Sequence, residues 1–168
     1  MRRSFLVLLL ALAACGVNPP QAMRPAPAAV SAFAFSGRLA VRQGETRHHL
    51  RIDWRHENGG DTILLTTPLG QGLAELTRDA SGALLTLADR RQFQAADWDA
   101  LTEQVFGFRL PLSSAERWLL GDTAAAQGWR LEIVERESAA ADALPTTLEF
   151  ERDDISVRLK IDEWGEVR

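Results

Sequence analysis

From residue 33 the chain alternates apolar and polar side chains with a period of two. Phe33, Phe35, Gly37, Leu39 and Val41 fall on one face, and Ser36, Arg38, Ala40 and Arg42 on the other, the pattern of a half-buried strand. Leu50, Ile52 and Trp54 repeat it against His49, Arg51, Asp53 and Arg55. Gln43-Gly44-Glu45 joins the two runs and Asn58-Gly59-Gly60-Asp61 ends the second, both hairpin signals. Further strands are predicted at about 61–67, 72–78 and 83–88, with Asp79-Ala80-Ser81-Gly82 as the last turn. This much reads as an antiparallel meander.

The period then changes. Trp98, Leu101, Val105 and Phe106 lie at helical spacing, with Asp97 and Asp99 at the start, where negative charge suits a helix N-terminus. Ser113-Ser114-Ala115-Glu116 has capping-box spacing before Trp118, Leu119 and Leu120, and Gly121 is placed to end that turn. Strands resume at about 129–136, 145–152 and 155–162. About eight strands with two helices inserted after the fifth predict a mainly β fold: an open, strongly curved sheet whose helices cover the mouth of an apolar cavity.

The first fourteen residues differ from all of this. "MRRSFLVLLLALAAC" has two arginines, an apolar run and small residues before Cys15, the layout of a signal peptide over 1–14. Leu12-Ala13-Ala14-Cys15 matches the bacterial lipobox, so Cys15 is expected to carry acyl chains as the first mature residue. It is the sole cysteine, which rules out an intramolecular disulfide and a cysteine metal cluster. Gly16 stands where an aspartate would direct retention at the inner membrane, which favours the outer membrane. Residues 15–32 hold Pro19, Pro20, Pro25 and Pro27 and read as an extended tether, leaving one domain over 33–168.

Charge narrows the function. The net charge of -4 becomes -6 once residues 1–14 are removed, with 17 basic against 23 acidic groups, which argues against nucleic-acid binding. His48, His49 and His56 are the only histidines, and no G-x-S-x-G, H-E-x-x-H, Gly-rich phosphate loop or EF-hand is present. Asp153-Asp154 reads as a turn rather than a carboxylate pair. No catalytic residue, metal site or cofactor is expected. Five tryptophans, Trp54, Trp98, Trp118, Trp129 and Trp164, with no tyrosine, fit either a ring-filled core or a ring-lined cavity.

One turn stands out. In "TTPLGQGLAEL" (66–76), Pro68 and Gly70 hold Leu69 away from both flanking strands. Such a leucine either folds back to cap the core or points outward. Its neighbours Thr66, Thr67 and Gln71 are neutral, so the tip can enter a headgroup layer without burying a charge.

"SGRLAV" (36–41), "DWRHE" (53–57), "LLTTPLGQGLAEL" (64–76), "GFRLPLSSAERWLLG" (107–121), "GWRLEI" (128–133) and "LKIDEW" (159–164) together resemble the LolB family of outer-membrane lipoprotein receptors. The resemblance implies an open half-barrel of 8–11 strands. It implies a receptor that takes lipoproteins from the periplasmic carrier LolA into an apolar cavity and inserts their acyl chains into the outer membrane, as a monomer and without enzymatic chemistry. In that family a leucine of a protruding loop serves insertion, and it matches Leu69, between Pro68 and Gly70. The cavity is expected at the inward positions Leu39, Val41, Leu50, Ile52, Trp54 and Leu65, with Trp98, Val105, Phe106 and Trp118 on the covering helices. Two departures are the six-residue segment "DTAAAQ" between Gly121 and Gly128, where relatives carry a longer stretch, and the proline-rich tether in place of an N-terminal helix. The rival readings are a structural lipoprotein whose sheet binds a protein partner in an outer-membrane assembly, and a lipid-modifying enzyme, for which the sequence lacks the polar constellation.

Overall fold

The computed structural model describes residues 30–126, 128–140 and 142–168. The expected signal peptide, Cys15 and the tether up to residue 29 lie outside them. Among the described residues nine strands form one antiparallel sheet: β1 (Ala32–Gln43), β2 (Thr46–Glu57), β3 (Gly60–Thr66), β4 (Gly72–Asp79), β5 (Gly82–Leu87), β6 (Gln92–Ala95), β7 (Arg130–Arg136), β8 (Pro145–Arg152) and β9 (Ile155–Val167). Helices α1 (Trp98–Phe106) and α2 (Ala115–Leu119) interrupt it after β6. The order is β6-β5-β4-β3-β2-β1-β9-β8-β7, so two meanders are welded where β9 pairs with β1.

The helices enter one strand later than the periodicity predicts, because β6 is only four residues long, "QFQA". So short a run carries too few alternations to register as a strand. The capping box at Ser113 does not form either. Ser113 Oγ instead donates to Asp99 Oδ1 at 2.8 Å, Ser114 Oγ donates to the Ala125 carbonyl at 2.6 Å, and α2 starts from a 3-10 turn at Leu112–Ser114. The hydroxyls here bind one segment of the cover to another. Helix α1 starts as expected: Asp97 accepts the Ala100 N–H at 2.8 Å, and Gly107, in the left-handed region at φ +79°, closes it.

The sheet curls around its helices. Trp118 of α2 has its ring 6.3 Å from Trp54 on β2 and 4.7 Å from Phe150 on β8. Those strands are three places apart, about 14 Å along a flat sheet, so their inward rings converge on one indole. Gly37 lies in the fold of this curve, where a Cβ would come within 2.5 Å of the Lys160 carbonyl oxygen and the β1–β9 register shifts.

Candidate functional site

The inward face of the sheet is graded from end to end. The turns at 43–46, 67–71 and 88–91 share one end, and those at 57–60 and 79–82 the other. At the latter end the inward side chains of β1 to β5 are buried: Phe33, Phe35, Trp54, His56, Asp61, Ile63, Leu76, Ala83 and Leu85. Toward the Leu69 end they are only half-buried: Leu39, Val41, Leu50, Leu65, Ala74 and Leu87.

The closed end is organised by a buried carboxylate. Asp61 Oδ1 accepts from Trp54 Nε1 at 3.0 Å and from His56 Nδ1 at 2.8 Å. Its Oδ2 accepts from Arg78 Nε at 2.7 Å and from Trp98 Nε1 at 3.2 Å. Burial pushes this carboxyl up, but the hydrogen bonds from Trp54, His56 and Arg78, with the Arg78 charge, outweigh it and hold Asp61 below the usual carboxylate range. The group thus stays ionised and fixes the first residue of α1 to β3. Every tryptophan N–H finds an acceptor: Trp118 donates to the Pro111 carbonyl, Trp129 to Arg109 and Trp164 to Pro145.

At the open end the 67–71 turn is tied at both sides. Gly70 N–H donates to the Thr67 carbonyl at 2.9 Å, Thr67 N–H to the Gln71 carbonyl at 2.8 Å, and Gln71 N–H to Thr67 Oγ1 at 3.1 Å. Gly70 takes φ +85°, which completes a type of three-residue hairpin loop that favours glycine there. Leu69, at the tip of this loop, does not fold back onto the core. It is 92% exposed, and Leu64 and Leu73, on the outer face just below it, are also exposed.

The expected cavity positions separate into groups. Ile52, Trp54, Trp98 and Trp118 are buried in the core. Leu39, Leu65 and Val105 are half-buried against it, as are Val41 and Leu50 by exposure. Phe106 is 47% exposed, because α1 ends there at Gly107 and the chain turns away with Phe108 beside it at 6.0 Å. Pro68 and Gly70 are exposed with Leu69. Two clefts indent the opposite, outer face: one of about 540 Å³ beside Ala34, Asp53, Arg55 and Leu64, and one of about 350 Å³ beside Ala40, Arg42, Arg47 and His49. The Asp61 cluster was not anticipated, although its signal is present: His56, Asp61 and Arg78 occupy apolar-face positions and lie opposite one another in register.

The family of the outer membrane lipoprotein LolB matches residues 31–164.

The chain belongs to the LolB family.

It is 34% identical to the outer-membrane lipoprotein LolB of Azoarcus sp., over 91% of this chain and 89% of that one, and 33% identical to that of Chromobacterium violaceum, over 98% and 99%. Its fold is also similar, at TM-score 0.43 and 9% identity over 82% of this chain and 86% of the other, to the crystal structure of a LolA superfamily protein from Nitrosomonas europaea. The LolB family is a receptor and transport family rather than an enzyme family.

Proposed function

We infer that this chain is an outer-membrane lipoprotein receptor that accepts lipoproteins from a LolA-type carrier and delivers their acyl chains to the outer membrane. The observation that carries the reading is the pairing of an upright Leu69 with the end of the sheet where inward aliphatic residues lose their cover. Acyl chains enter between sheet and helices at Leu39, Val41, Leu50 and Leu65, with Val105 and Phe106 at the rim. Ile52, Trp54, Trp98 and Trp118 form the floor beneath them. Cys15, released from a signal peptide at 1–14, carries the lipid that holds the protein at the membrane, and residues 15–32 give the monomeric domain its reach.

The energetics require such a site. Burying acyl chain contributes about 0.8 kcal/mol per methylene, so one chain of about fifteen is worth on the order of 12 kcal/mol against water. Passage from one apolar site to another nearly cancels that term, so a modest affinity difference drives transfer without nucleotide.

The test uses residues 15–168 with Cys15→Ala, which contain every strand and helix of the described residues. Mixed with a radiolabelled lipoprotein bound to LolA, this chain is expected to take up the label as a soluble complex. Retention of all label on the carrier would overturn the reading in favour of a structural lipoprotein.

A further inference from the structure

The outer face carries a charge arrangement that lipid acceptance does not use. Arg38 stands directly opposite Arg51 across the β1–β2 pair, and Arg42 directly opposite Arg47. Like charges so placed oppose strand pairing. The β1 members turn away toward β9: Arg38 donates to Asp162 Oδ1 at 2.6 Å, and Arg42 Nε to Ser156 Oγ at 3.1 Å. Arg47 and Arg51 are exposed and have no carboxylate partner among the described residues. In a chain of net charge -4, these two cations, like Arg55 and Arg90, are exposed without a carboxylate partner among the described residues.

Their position gives them a use. Arg51 pairs with Thr66, the last residue of β3 before the Leu69 turn, and Arg47 lies further toward that same end of the sheet. On the other side of the turn, Arg90 sits exposed in the 88–91 turn between β5 and β6. The acids nearby are Glu45 and Asp154 at the β1–β2 tip, Asp89, which is paired with Arg91, Glu149 and Glu151, which line the cleft beside Arg47 and are paired with Arg158 and Arg130, and Asp53 and Glu75 further from the tip on β2 and β4. Cations thus flank an exposed apolar tip along one edge, as required of a surface that puts a leucine among acyl chains and guanidinium groups among phosphates.

We propose that the Leu69 end docks on an anionic phospholipid surface, with Arg47 and Arg51 on one side of the turn and Arg90 on the other contacting headgroup phosphates. The proposal rests on the outward role given to Leu69 above and adds the lipid class. Docking in this pose sets the open end of the inner face against the leaflet.

The experiment is vesicle co-sedimentation of chain 15–168 carrying Cys15→Ala. Adding about 30 mol% phosphatidylglycerol to phosphatidylcholine vesicles is expected to raise partitioning about a hundredfold at low salt, and added salt should abolish the gain. Arg47→Gln with Arg51→Gln should remove most of it, at about fivefold per arginine. The charge-matched pair Arg55→Gln with Arg168→Gln, remote from the Leu69 turn, should leave it intact. Equal binding to both vesicles, or an equal loss in both pairs, overturns the proposal. So does competition by inorganic phosphate at matched ionic strength, which would mean free phosphate binding instead. Leu69→Asn, which adds no charge, should weaken binding to both vesicle types alike, so a flat response to phosphatidylglycerol with Leu69 dependence preserved sinks the arginine proposal alone.

Discussion

Along β1 the inward side chains pass from Phe33 and Phe35, buried among rings, to Leu39 and Val41, half open to solvent, and β2 and β3 repeat the gradient. The two ends share strands, register and apolar character. They differ in what lies over them. At the closed end an ionised Asp61 ties three elements together through indole, imidazole and guanidinium groups, whereas at the open end the tied features are turns, that of Leu69 and that at 88–91, with no buried polar cluster beneath them among the described residues. Rigidity is concentrated where nothing has to enter, and aliphatic surface is left where a ligand does.

The largest test of that contrast is Asp61→Ala. It strands Arg78, His56 and two indole donors without their acceptor, and should cost about 3 to 5 kcal/mol in chemical denaturation. Next come matched truncations on neighbouring strands. Leu76→Ala at the closed end should cost about 3 kcal/mol, and Leu65→Ala at the open end about 1 kcal/mol. Equal costs would erase the distinction between the ends. Gly37→Ala, whose methyl meets the Lys160 carbonyl, should cost about 1 to 3 kcal/mol by straightening the curve of the sheet. The smallest effect is on acid stability. Because Asp61 is held below its ordinary value, its contribution is present above about pH 4 and lost as pH falls through the lower folded value. Asp61→Asn should therefore flatten the acid limb of the stability profile below about pH 4.

The alternation of strands was legible because one face of each is buried, and period two survives in Phe33 to Val41, Leu50 to Trp54 and Ile155 to Ile161. That Leu69 stands at the tip of a turn was legible because proline and glycine bracket it, whereas its outward direction was open on that pattern and came from its neutral neighbours and the family resemblance. Strand β6 was not, since four residues give a pattern no statistical weight, and neither was the Ser113 contact, which depends on where Asp99 lands in three dimensions. The tryptophans divide by environment. Trp54, Trp98, Trp118 and Trp129 are buried core while Trp164 is half-buried, a difference composition does not carry. The Asp61 cluster required reading polar residues on an apolar face as partners across a hairpin rather than as breaks in the pattern.

The most direct measurement separates acceptance from delivery in the Leu69→Glu variant. Its stability should stay within about 0.5 kcal/mol of the parent, since Leu69 touches no core. With labelled lipoprotein supplied on LolA and liposomes added afterwards, the variant is predicted to accept label at the parental rate and fail to pass it on. Normal passage into liposomes by that variant would contradict the account.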